Sequence, residues 1–149
     1  MPFQPESPPW LQGTISTIVE DMAGVAPATI IKLGDAWRIK VDWEMHGFGV
    51  PGTDGDWHVS AYVEKFGPGF EGQVGATKDV PVTSVPLNAG PPQNRQYSLY
   101  IDVPGAGPTS VPTPGVYRLV TLVTHTLAGM GPPDSLNAFT EGPFLQFYT

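Results

Sequence analysis

The chain contains no cysteine. That removes disulfides and thiolate nucleophiles together and favours folding in a reducing compartment. A chain of 149 residues does not need such staples, because a domain of this size buries roughly 70% of the surface its unfolded form exposes. Positive charge is also scarce: seven Lys and Arg stand against fourteen Asp and Glu, a net charge of −7. Seven scattered cations cannot build the basic face that displaces counterions from nucleic acid, and they disfavour anionic membrane surfaces for the same reason. No apolar run approaches the ~20 residues that span a bilayer, so membrane insertion is not expected. The first ten residues, Met1 to Trp10, have neither a basic segment nor an apolar one and do not form a secretory signal. The expectation is cytoplasmic synthesis without a signal peptide, any exit from the cell using a route that needs no cleaved signal, such as release as part of a particle.

What is abundant is turn chemistry, 18 Gly and 18 Pro, beside 40% hydrophobic residues. Residues 1–11 read as a Pro-rich, extended arm, and residues 12–149 as a single domain. Thr14 to Val19 is β-branched and reads as a strand. Trp37 to His46 alternates strictly, with large apolar side chains at odd positions and polar ones at even positions. Trp57, Val59, Ala61 and Val63 repeat the pattern, as do Tyr97, Leu99, Ile101 and Val103. A period of two means one buried face and one solvated face, the mark of an antiparallel sheet. A weaker, Pro-interrupted strand is expected near Lys78 to Val85, at a sheet edge. Val116 to Thr126 is a long strand, Thr126 to Ala138 a loop, and Phe144 to Thr149 a last strand. No helical period appears. About seven short strands separated by turns imply an all-β, two-sheet antiparallel sandwich.

The stretch Pro114-Gly115-Val116-Tyr117-Arg118-Leu119 resembles the start of the sixth strand of immunoglobulin-like and fibronectin-III-like domains. In those domains a Tyr just after the turn bonds back across the corner, and Tyr117 occupies that position. The resemblance implies an immunoglobulin-like sandwich and, by itself, no function.

Candidate chemistry is thin. His46, His58 and His125 fall at strand ends near Asp54 and Asp56, a residue set that suits a divalent metal. The alternation opposes it, since His58 points outward with Ser60 and Glu64 while His125 points inward with Tyr117, Leu119 and Val123. Thr53-Asp54-Gly55-Asp56 lacks the full spacing of a calcium loop and reads as a turn. Asp42 and Glu44 alternate with Arg38 and Lys40 on a solvated strand face, which is a surface charge ladder rather than a facing acid pair. There is no Gly-x-Ser-x-Gly elbow and no phosphate loop. Neither enzymatic activity nor a cofactor is expected.

The remaining anomaly is apolar residues on the wrong side. Phe48 and Val50 sit in a turn, and Leu127, Met130 and Leu136 belong to a loop expected at the same end of the sandwich. The sixth strand carries Val116, Val120 and Leu122 opposite its inward set, and Phe144 to Tyr148 is apolar on both faces. A covering loop would explain this, and so would a partner. The expected interface residues are therefore Phe48, Val50, Met130, Leu136, Val120, Leu122, Phe144 and Phe147, the expected partners other protein subunits, a copy of the chain itself included. The reading that follows is a structural module docked on a phage-like particle, as a capsid or tail decoration or an accessory of a contractile system. The alternative is a carbohydrate-binding sandwich, for which Trp10, Tyr62 and Tyr100 are the aromatic side chains left free by the alternation.

Overall fold

The structure is a computed structural model that describes residues 12–24, 28–90, 93–127 and 137–149. Within them the chain forms β1 (Gln12–Asp21), β2 (Ile30–Lys32), β3 (Trp37–His46), β4 (Asp56–Lys65), β5 (Glu71–Pro81), β6 (Asn94–Val103), β7 (Gly115–Thr126) and β8 (Asn137–Tyr148). The strands make two sheets, one ordered β1-β3-β6 and the other β2-β8-β7-β4-β5. All neighbours are antiparallel except β2 and β8, which run parallel.

The alternation seen in the sequence is the alternation of burial. In β3, Trp37, Ile39, Val41, Trp43 and Met45 are buried and the residues between them are half-exposed. Trp57, Val59, Ala61 and Val63 of β4 face them from the other sheet, with Tyr117, Leu119 and Val123 of β7. In β6, Tyr97, Ile101 and Val103 are buried, whereas Leu99 is only partly buried against the core. Apolar area removed from water on both inner faces is what holds the two sheets together.

Aromatic rings fill the core. Trp43 stacks on Tyr97 with centroids 5.0 Å apart, and Trp57 meets both edge-on, at 6.4 and 5.9 Å. A second group joins Phe147 to Trp37 at 5.7 Å and to Tyr117 at 5.6 Å. The two buried tyrosine hydroxyls are satisfied by backbone: Tyr97 donates to the Val82 carbonyl at 2.6 Å, and Tyr117 donates to the Thr113 carbonyl at 2.9 Å. The second bond is the back-bond across the corner expected from the sequence.

Three elements depart from the sequence reading. β2 was not expected; its three residues are too few to show a period. The edge strand expected at 78–85 runs instead from Glu71 to Pro81, and a short 3-10 turn follows at Val82–Ser84. It does lie at an edge, and there Val74 and Gly75 alone are fully buried, so it carries little alternation. The last strand begins at Asn137, inside the expected loop. Gly142, with φ of +96°, and Pro143 together bulge opposite Leu119, where the register with β7 slips, so the strand continues past a proline that would otherwise end it.

Candidate interaction surface

The outer face of the five-stranded sheet is set by the even-numbered residues of β4 and β7. In β7 these are Val116, Arg118, Val120, Leu122 and Thr124, whose odd neighbours are in the core. Register places Leu122 between Ser60 of β4 and Phe139 of β8, and Val120 between Tyr62 and Glu141. Val120 and Leu122 are half-buried, so neighbouring side chains cover them only in part. Beyond them Arg118 lies between Glu64 and Phe144, and Phe66 donates its backbone N–H to the Val116 carbonyl at 2.9 Å.

Here the face becomes openly apolar. Phe66 and Phe144 are 56% and 58% exposed, yet their rings sit 5.2 Å apart, tilted by 48°. Val116 beside them is exposed as well. One cation anchors the middle of the face: Arg118 reaches Glu64 at 2.6 Å and Glu141 at 3.4 Å. The hydrogen bond to Glu64, with the charge of Glu141 behind it, holds the guanidinium above its ordinary pKa. Exposed pairs of this kind add little stability.

The expected interface residues separate into three groups. Val120, Leu122 and Phe144 lie on this face as expected, and Phe48 is 72% exposed in the loop between β3 and β4. Val50 and Phe147 do not lie on the surface. Val50 is fully buried in a 3-10 turn that folds it under the loop, and Phe147 shares the inward parity of Leu145 and packs on Trp37 and Tyr117. Both belong to the core. Met130 and Leu136 lie outside the described residues.

Phe66, Tyr62 and Phe139 extend the patch beyond the expected set. The parity of β4 carried the signal for the first two, since both are even-numbered like outward-facing His58. Phe139 was hidden because it lies between the loop expected to end at Ala138 and the strand expected to begin at Phe144, whereas β8 spans both.

The loop after β3 and the end of β7 do meet, as the sandwich reading required. His125 points inward against Trp57, with centroids 5.1 Å apart, and its Nε2 lies 2.5 Å from the Asp54 carbonyl. His58 points outward and bridges Asp79 at 2.6 Å and Thr126 at 2.8 Å. Among the described residues no group of three His, Asp or Glu side chains is placed to hold a metal ion. No helix there is long and apolar enough to cross a membrane.

The outer face of the three-stranded sheet is polar by contrast. Arg38 pairs with Glu20 at 2.9 Å and lies over the Tyr100 ring at 4.2 Å. Asp42 is 4.0 Å from Lys40, and Glu44 accepts from Gln96 at 3.1 Å and meets His46 at 3.2 Å. The two carboxylates are thus engaged along the ladder. Around them lies an open depression of about 440 Å³ floored by the small side chains of Thr14, Ser16 and Ser98.

No protein-family model and no curated protein matches the chain. Among solved structures it is similar to part of a β-glucosidase from Listeria innocua, with a TM-score of 0.46 and 10% identity over 91% of this chain. The same enzyme in complex with glucose gives a TM-score of 0.45 and 12% identity. The chain spans 16% of the length of that enzyme.

Proposed function

We propose that the chain is a non-enzymatic docking module, an immunoglobulin-like sandwich that attaches through the outer face of its five-stranded sheet to a larger protein assembly. The observation that carries the proposal is the Phe66–Phe144 pair, two large apolar side chains in mutual contact and both more than half exposed. Scattered exposed hydrophobes are ordinary, but a contiguous apolar patch rimmed by charge is the usual signature of a protein interface. The charge lies alongside the pair, in Arg118 and its partners Glu64 and Glu141. An assembly such as a capsid, tail or contractile particle suits a sparsely charged chain that presents one sticky face.

The immunoglobulin-like assignment is supported by the strand order, a three-stranded sheet facing β2-β8-β7-β4-β5, and by the parallel β2–β8 pair that lets the first strand region reach both sheets. The Tyr117 back-bond supports it too. The sugar-binding alternative is less well served. Trp37, Trp43 and Trp57 are core residues, Tyr62 and Tyr100 sit on opposite sheets, and the Phe66 and Phe144 rings are tilted rather than aligned as a platform.

The test is co-sedimentation of the full chain with particles from its host, identified by electron microscopy and compared with the Phe66→Ser/Phe144→Ser variant. The variant is expected to stay folded and to leave the pellet. A wild-type chain that remains in the supernatant, or a variant that pellets equally well, would end the proposal. Tail, sheath or capsid genes beside the coding gene are the expected genomic setting; polysaccharide-degrading enzymes there would favour the sugar reading.

A further inference from the structure

The docking face carries its charge unevenly. By register, Asp56, Glu64, Glu71, Asp79 and Glu141 stand on the outer side of the five-stranded sheet. Among the described residues the cations on that side are Arg118 and, at the far edge, Lys32 of β2. Arg118 is already shared between Glu64 and Glu141. Lys65 stands opposite the core residue Tyr117 and lays its stem against Gly69 and Gly115. Glu71 is exposed and has no ion-pair partner among the described residues.

Glu64 and Glu71 are direct cross-strand neighbours on β4 and β5. Opposite residues on one face bring their Cβ atoms to about 5 Å, and like charges so placed repel. Beside them is an open depression of about 450 Å³ whose walls include Tyr62, Glu64, Glu71 and Val120. Tyr62 is 38% exposed and shares the outward parity of Glu64. Two carboxylates one strand apart beside an aromatic ring are the counterpart of a guanidinium. Its planar fork donates to both acids while its face stacks on the ring, whereas an ammonium offers a point charge without the fork. Glu71, Glu64, Arg118 and Phe144 follow one another across β5, β4, β7 and β8, so the depression and the apolar pair lie in one row.

We infer that the occupant of this face is a basic protein surface that lays an arginine between Tyr62, Glu64 and Glu71 while its apolar side chains cover Phe66 and Phe144. The inference rests on the docking reading of the same face and names the chemistry of the partner. A second copy of the chain meeting face to face would set these acids against their own kind, so charge selects a different protein.

Co-sedimentation of the full chain with particles purified from its host reads the apparent dissociation constant. At low salt Glu71→Gln should weaken binding several-fold, and Glu71→Lys at least about tenfold. Glu44→Gln removes the same charge from the opposite sheet and should leave binding unchanged. Raising NaCl from about 0.05 to about 0.5 M should bring wild type toward Glu71→Gln, because screening cancels the attraction that the variant lacks. Glu71→Gln also relieves the repulsion with Glu64, so its thermal midpoint should not fall and the lost binding is not lost folding. Blocking the arginines of the particles with phenylglyoxal should abolish binding; acetylating their lysines should not. The docking face stands and the inference is overturned if Phe66→Ser/Phe144→Ser abolishes binding but Glu71→Lys binds as tightly as wild type. Equal losses in Glu44→Gln and Glu71→Gln overturn it too, as does binding lost on lysine acetylation and kept with phenylglyoxal. A wild-type chain that never pellets, or a double-Ser variant that pellets equally well, removes the docking reading itself and the inference with it.

Discussion

Replacing Gly75 by Ala should cost far more than replacing Gly107, although both glycines lie at positive φ. Gly75 has φ of +68° and sits in β5 at the slip where Gly75, Ala76 and Thr77 stand opposite Ser60. A Cβ there would lie 2.5 Å from Ile101 Cγ2 and 2.8 Å from the Asp102 carbonyl oxygen. Ile101 is fully buried in β6, and a backbone oxygen cannot swing aside, so the strand must shift. Gly107 has φ of +104° and open space around the corresponding position. The left-handed backbone costs an L-residue roughly 1–2 kcal/mol in either case. The close approach at Gly75 adds about 1–3 kcal/mol of overpacking. Gly75→Ala should therefore lose on the order of 2–5 kcal/mol and Gly107→Ala roughly 1–2 kcal/mol. At about 2–4 °C per kcal/mol for a chain of this length, the two thermal midpoints should separate by several degrees. Urea unfolding followed by tryptophan fluorescence measures the difference directly. If the two variants agree within about 0.5 kcal/mol, then the close approach of the larger sheet's edge to the smaller sheet does not constrain residue 75 and the argument fails.

Two further outcomes follow from buried polar groups. Thr121 is fully buried on β7, and its hydroxyl has no hydrogen-bond partner among the described residues. Thr121→Val keeps the shape and removes that cost, so it should stabilise the fold by about 1 kcal/mol, read as a higher urea midpoint at unchanged slope. Burial raises the Tyr97 phenol above its ordinary pKa, against the opposing influence of Trp57 and Arg95. The folded state thus holds this proton more tightly than the unfolded chain, whose tyrosine titrates near about 10. The contribution is intact below that pH and is lost as pH rises through the folded value. Thermal midpoints should fall above about pH 10, and less steeply in Tyr97→Phe; equal slopes in the two proteins would refute the assignment.

The core was legible because burial on one face imposes a period of two on side-chain polarity. Trp37 to Met45 and Trp57 to Val63 show that period without interruption, and each of those inward residues is buried. The same parity separated His125 from His58 and placed Val120 and Leu122 on the outside. It failed where the pattern is broken by special backbone. Pro143 and Gly142 hid half of β8, and the slip at Gly75 to Thr77 hid the start of β5. Val50 was misplaced for a related reason. Loop position says nothing about burial when a 3-10 turn folds the residue under its own loop.

By itself, then, the sequence determined the all-β class, the inward set of each long strand and the corner bond of Tyr117, because these depend on neighbours two to four residues away. Only the tertiary structure decided which strands stand at the edges and which outward hydrophobes lie side by side. Phe66 and Phe144 are far apart in the chain and meet only through the order β8-β7-β4. The place of β1 at the edge of its sheet is likewise decided only because β3 takes one side of it and no described strand takes the other. Contacts of that kind are set by pairing between distant segments, and no local period records them.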